Sequence, residues 1–158
     1  MFAPILAAFV QSCRLRLQLC RGLWQGDMEK ETDMSLSDIQ HRVIQACNKA
    51  GRDVASVSLI AVSKVQPNER VAAVLEQGHR VYGENRVQEA AGKWPDFRDR
   101  FDGIELHLIG PLQSNKVRQA NRLFDAIHSV DRPKLAVALA RIAQEEGRCP
   151  DVFIQVNT

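Results

Sequence analysis

The chain has 158 residues, 45% of them apolar and 25% charged, with a formal net charge of +2. This supports one soluble core, and Lys and Arg interleaved with Asp and Glu after Gly26 leave no basic stripe for nucleic acid. Two Trp, one Tyr and six Phe make no stacking ladder. Cys13, Cys20, Cys47 and Cys149 form no Cys-x-x-Cys pair and have no histidine at metal-ligand spacing, so the expectation is free thiols in the cytoplasm and no metal.

Residues 1–33 stand apart from the rest. The apolar run 3–10 is too short to span a bilayer, so no membrane segment is expected. Arg14, Arg16 and Arg21 follow that run, the wrong order for a secretory signal, and no acid precedes Asp27. Two readings fit: a transit-type leader, or sequence ahead of a true start at Met28 or Met34. The second is simpler, and either way 1–33 is expected to be an unstructured extension to a single domain over 34–158.

From there strand and helix alternate. Ser35 with Asp38 resembles a capping box, and Ile39, Val43, Ala46, Cys47 and Ala50 recur at helical spacing up to Gly51. A strand over 57–63 follows. Pro67 then opens a helix with Val71, Val74 and Leu75 as its buried stripe and Gly78 as its stop. A short strand at 80–83 leads to a helix from Val87 that Trp94-Pro95 is expected to break. Next come a strand over 105–110, a helix over 115–123 capped by Ser114 or Asn115, and a strand over 125–130. Asp131 is expected to cap a long helix with Pro133 in its first turn, Leu135, Ala138, Leu139 and Ile142 on its apolar face and Gly147 at its end. A fifth strand spans 151–157. Five such alternations require parallel strands joined by helical crossovers, in an open doubly wound sheet or part of a β/α barrel. No Gly-x-Gly-x-x-Gly follows the first strand, which weakens the dinucleotide-binding version.

Chemistry concentrates at the strand ends. Lys64 closes the run Leu59-Ile60-Ala61-Val62-Ser63-Lys64. It is either a solvated strand end or an amine kept dry by Ile60 and Val62, and a dry amine is a nucleophile toward aldehydes. Asn85, in Gly83-Glu84-Asn85, either bonds a ligand's ring hydroxyl or caps the next helix; Glu84 either pairs with a base or faces solvent. Alternation puts His107 on one face with Glu105 and Ile109, as a site residue or a hydrogen-bonded strand histidine. The stretch from Gly110 to Lys116 fails as a phosphate loop, because Asn115 replaces the second glycine and Val117 the magnesium-binding hydroxyl. The next helix N-terminus could still take an anion. His128 and Asp131 are spaced as an acid/base pair, but Asp131 is better explained as a cap, and no Gly-x-Ser-x-Gly supports a hydrolase.

These stretches converge. Ala61-Val62-Ser63-Lys64, Gly83-Glu84-Asn85 with Val87-Gln88-Glu89, His107 through Lys116, and Ile127-His128-Ser129-Val130-Asp131 stand in the order and spacing of a known family. Together, over 34–158, they closely resemble the pyridoxal phosphate homeostasis proteins, with His-x-Ile-Gly-x-Leu-Gln-x-Asn-Lys the most specific element. The resemblance implies a (β/α)8 barrel of the alanine racemase N-terminal type, of which this sequence holds about the first five β/α units. It implies pyridoxal 5′-phosphate held as a Schiff base on Lys64, with Asn85 and His107 near the pocket, and no established turnover. The implied role is to bind, buffer or deliver the cofactor in vitamin B6 balance, with cofactor-dependent apoenzymes as partners.

The family's phosphate-holding turns come later than Thr158. The sequence is therefore expected to be a truncated barrel with weak cofactor binding, poor solubility and an open edge near Val152, Phe153, Ile154 and Val156. Two rival readings remain. One is a racemase-like enzyme on the same lysine, which needs a second acid or base across the cofactor. The other is a fragment without function of its own.

Overall fold

The computed structural model describes residues 9–11 and 35–156. The chain divides into two compact units, 1–59 and 60–158. Strand β1 (Phe9–Gln11) is the described part of the expected extension; the rest of 1–33 lies outside the described residues.

In the first unit, helix α1 (Leu36–Lys49) starts where its capping box predicts. Ser35 Oγ accepts from the Asp38 amide at 3.3 Å, and Asp38 Oδ2 accepts from the Ser35 amide at 3.0 Å. Two donors that a helix start leaves orphaned are thereby satisfied. Gly51 follows at φ 61°, a left-handed conformation that a side chain resists.

Strand β2 (Ser58–Val62) leads into the second unit. Then come α2 (Asn68–Glu76), β3 (Val81–Glu84), α3 (Val87–Arg100), β4 (Glu105–Leu108), α4 (Val117–Leu123), β5 (Ala126–Val130), α5 (Pro133–Glu146) and β6 (Asp151–Ile154). Strands β2 to β6 pair in chain order and all pairs are parallel. Ala61, Tyr82, Leu106, Leu108 and Ile127, all of one alternation phase, share a core with α2, α3, α4 and α5. Helices thus cover a single sheet face. Consecutive parallel order with one helical layer is the winding of a β/α barrel; a doubly wound sheet reverses its order and covers both faces. The chain therefore carries four β/α units of barrel type and a fifth strand, β6, where the resemblance implies about five units.

Three local expectations are corrected. Helix α3 runs through Trp94 and Pro95 to Arg100. Pro95 removes a helix hydrogen bond at a cost of roughly 3 kcal/mol. Burial of Trp94 at 0% and Phe97 at 3% exposure offsets it, each large apolar side chain contributing roughly 1.5–3 kcal/mol. Asp131 does not cap α5: Arg132 holds the N-cap position without a side-chain cap bond, and its guanidinium binds Asp131 Oδ1 and the Leu112 carbonyl. Before α4, Ser114–Lys116 forms a 3-10 turn, and neither Ser114 nor Asn115 caps the helix.

Strand β6 has one strand neighbour among the described residues, β5. Val152, Ile154 and Val156 are 49%, 80% and 74% exposed, as the edge reading expects.

Candidate functional site

The candidate residues lie at or just past the carboxyl ends of β2, β3 and β4. Register aligns Val62 with Gly83, Gly83 with His107, and His107 with Ala126. Two residues further along the chain, Lys64 and Asn85 stand just past the ends of β2 and β3. His107 lies within β4, and Lys64 and Asn85 lie just past the carboxyl ends of the neighbouring strands β2 and β3, the end at which barrel proteins build their sites.

Lys64 is exposed, whereas Ile60 and Val62 are 2% and 6% exposed. The expectation that these neighbours dry the amine is corrected: the chain leaves the strand at Ser63, and Lys64 sits on the turn beyond it. That turn closes with the Gln66 amide donating to the Ser63 carbonyl at 3.2 Å. Its third residue, Val65, stands at φ 52°, the one non-glycine residue with positive φ among those described. A β-branched side chain there is strained, at a cost of order 1–3 kcal/mol.

A buried network fixes the residue before Lys64. The Ser63 amide donates to the Gly83 carbonyl at 3.0 Å, and Ser63 Oγ donates to Glu84 Oε1 at 2.8 Å. That carboxylate oxygen also accepts from Trp94 Nε1 at 3.1 Å and Lys93 Nζ at 3.2 Å. Lys93 Nζ reaches the carbonyls of Ser63 and Gln66 as well, at 3.0 and 3.4 Å. Glu84 is 0% exposed and pairs with the Lys93 ammonium, so it does not face solvent but pairs with a base, and its Oε2 has no hydrogen-bond partner among the described residues. Sequence reasoning missed Lys93 entirely. The available signal was phase: Glu84 is one residue out of step with Gly83 and so faces helix α3.

Asn85 is half-buried in the bend between β3 and α3. It does not cap α3, whose N-cap position is Arg86. The Gly110 backbone presses on it: a Cβ on Gly110 would lie 2.2 Å from the Asn85 carbonyl oxygen. Gly110 thus fixes the turn after β4 against the one after β3, aided by the Ile109 amide donating to the Glu84 carbonyl at 2.9 Å.

His107 is 7% exposed with both ring nitrogens engaged, Nε2 with Glu105 Oε1 at 2.7 Å and Nδ1 with His128 Nε2 at 2.9 Å. The hydrogen-bonded strand histidine describes it as it stands. His128 stacks on Phe153 with ring centroids 4.5 Å apart. Burial, with the charge of His107 as a second cause, pushes the His128 pKa down to about 4. His128 thus pairs with His107 and not with Asp131. No group of three or more potential metal ligands occurs among the described residues.

Fold and site define a β/α-barrel-type chain with a lysine, an asparagine and a histidine at or just past the carboxyl ends of three neighbouring strands. No family model matches the sequence. Curated relatives named pyridoxal phosphate homeostasis protein do. The one from Vibrio cholerae serotype O1 is 37% identical over 131 residues, covering 82% of this chain and 56% of the relative. Those from Escherichia coli strain K12 and Pseudomonas aeruginosa are 36% and 40% identical over 124 residues, each covering 78% of this chain and 53% of the relative. The structure of PipY from Synechococcus elongatus PCC7942 with pyridoxal phosphate bound is similar at a TM-score of 0.63 and 44% identity, covering 73% of this chain and 54% of that one. PipY without the cofactor is similar at the same TM-score and 43% identity. The chain spans about half the length of the curated relatives it matches. Over that shared half it is a relative of the pyridoxal phosphate homeostasis proteins, the family that its motifs resemble.

Proposed function

We propose that this chain binds pyridoxal 5′-phosphate through Lys64 without turning over a substrate, and serves to hold or hand on the cofactor in vitamin B6 balance. The observation that carries the reading is the position of Lys64, at the carboxyl end of β2 in a chain 44% identical to a protein solved with this cofactor bound. When bound, the cofactor supplies an aldehyde that condenses with a primary amine.

The described residues fit that chemistry. Lys64 is an exposed amine on a turn whose backbone is tied to β3 and α3. Asn85 brings an amide able to donate to a ring hydroxyl. His107 lies one alternation step deeper, and Glu105 and His128 hold its imidazole in place. Gly83 leaves room for the Ile60 and Ile109 side chains between these strands, whose Cγ2 and Cδ1 a Cβ there would meet at 3.0 Å. The turns that the resemblance assigns to the phosphate are not among the described residues. No helix among the described residues is long and apolar enough to cross a membrane. The free thiols of Cys47 and Cys149 are in keeping with the reducing, cytoplasmic setting proposed for the chain. Cofactor-dependent apoenzymes are the proposed recipients.

The test is incubation with the cofactor, borohydride reduction and peptide mass mapping. The expected result is an adduct on Lys64 that Lys64→Ala abolishes. An adduct elsewhere with Lys64 unmodified overturns the assignment.

A further inference from the structure

We propose that Lys93 is a positioning residue for Lys64: its ammonium holds the strained turn that presents the Lys64 amine. This rests on the reading of Lys64 as the cofactor-bearing residue. Three observations carry it. First, Lys93 Nζ bridges the carbonyls at both ends of the four-residue turn, Ser63 at 3.0 Å and Gln66 at 3.4 Å. Lys64 and Val65 are the two residues between them. Second, Val65 holds φ 52° while its side chain is 83% exposed, so its own packing does little to compensate the conformation. Strained backbone persists where surrounding contacts over-determine it, and the Lys93 bridge is such a contact. Third, the ammonium is anchored from behind. Lys93 is 12% and Glu84 0% exposed at the side chain, and Glu84 Oε1 gathers Lys93, Trp94 Nε1 and Ser63 Oγ.

A buried ion pair contributes little net stability against a neutral replacement, because two charges lose their water. An ammonium could instead make its bonds in solvent. Its placement across this turn is explained by what it fixes, the direction in which the chain leaves β2. Lys93 comes from α3, and its ammonium bonds the Ser63 and Gln66 carbonyls and the Glu84 carboxylate, so it acts on Lys64 through the turn.

The single variant Lys93→Met leaves the Glu84 carboxylate buried without its cation and is expected to be strongly destabilised. The deciding variant is Glu84→Gln/Lys93→Met, which removes both charges while the Gln oxygen still accepts from Ser63 and Trp94. In the full 158-residue chain, two readouts are normalised to folded protein. One is the rate at which borohydride traps the cofactor on Lys64; the other is amide exchange at Gln66, whose N–H closes the turn. Trace acetylation of Lys64 relative to the exposed Lys134 gives a cofactor-free measure of the amine. The expected result is trapping at least tenfold slower, faster Gln66 exchange and an altered Lys64-to-Lys134 labelling ratio across pH, at an unchanged melting temperature. Trapping within twofold of the parent, with Gln66 protection and labelling ratio preserved, overturns the proposal. Should the parent chain form no adduct on Lys64, the cofactor reading fails by itself. The clamp is then decided by exchange and labelling: both unchanged overturns it, both altered upholds it.

Discussion

His128 shows how single residues on the inner face report their surroundings. Its folded pKa, near 4, lies below the ordinary value of 6.5 because burial disfavours the imidazolium and His107 adds to the penalty. Below pH 6.5 the unfolded chain takes up a proton that the folded chain refuses until about pH 4. Stability is thus full above pH 6.5 and is lost as pH falls through that window. His128→Gln keeps a partner for His107 Nδ1 but does not titrate. Denaturant midpoints at pH 7, 5.5 and 4.5 are expected to fall in the parent and to fall less in the variant; parallel slopes would contradict the assignment. The site itself was partly legible. A lysine after an apolar strand, an asparagine after the next and a histidine on the third can be read from spacing, because the strand pattern fixes which end of the sheet they occupy. The partners could not. Glu84 and Lys93 meet only because β3 and α3 pack together, and the exposure of Lys64 follows from a turn that begins one residue before it. Nothing in a linear pattern announces a valine at positive φ.

Helices α4 and α5 are joined by charge at their outer ends, which gives a prediction at the scale of elements. Glu146 accepts from Arg122 Nε at 2.8 Å, Asn121 Nδ2 at 3.0 Å and Arg118 Nη1 at 3.0 Å. The hydrogen bond from Arg122 first, then those from Asn121 and Arg118, hold its pKa at about 2. The carboxylate's stabilisation is present above the ordinary value of 4.5 and is lost as pH falls from there toward 2. Glu146→Gln is expected to flatten the acid limb of the melting curve below pH 4.5 and to leave the His128 window unchanged. Melting temperatures between pH 2 and 7 check this, and an unaltered acid limb refutes it. Element order was read correctly because each strand is short, apolar and bounded by Gly, Pro or Asp, and each helix repeats its buried side chains every three to four residues. The misreadings share one cause. Pro95 and Asp131 carry strong local preferences, but Trp94 in the core and Arg132 against Leu112 overrule them.

At the scale of the whole molecule, the last described strand is hydrophobic and well exposed. Five parallel strands in consecutive order bury one face under helices, and the last of them, β6, bonds to β5 on one side only among the described residues. Val152 and Ile154 belong to that strand and Val156 follows it, all three well exposed. Asp151 at its start and the half-buried Phe153 on His128 do little to blunt it. Exposed apolar edges offer free amide and carbonyl groups to another chain, and natural sheets commonly protect such edges with lysine or proline. The 158-residue chain is therefore expected to self-associate with rising concentration. Ile154→Lys, at a position 80% exposed, should change folding stability by less than about 0.5 kcal/mol while raising the soluble fraction. Light scattering across a concentration series, with melting temperature as the control, measures both effects. A parent chain that stays monodisperse, or a variant that aggregates as the parent does, would show that β6 is not the adhesive surface. The same variant leaves Lys64, Asn85 and His107 untouched, so cofactor trapping should proceed at the parent's rate per soluble molecule.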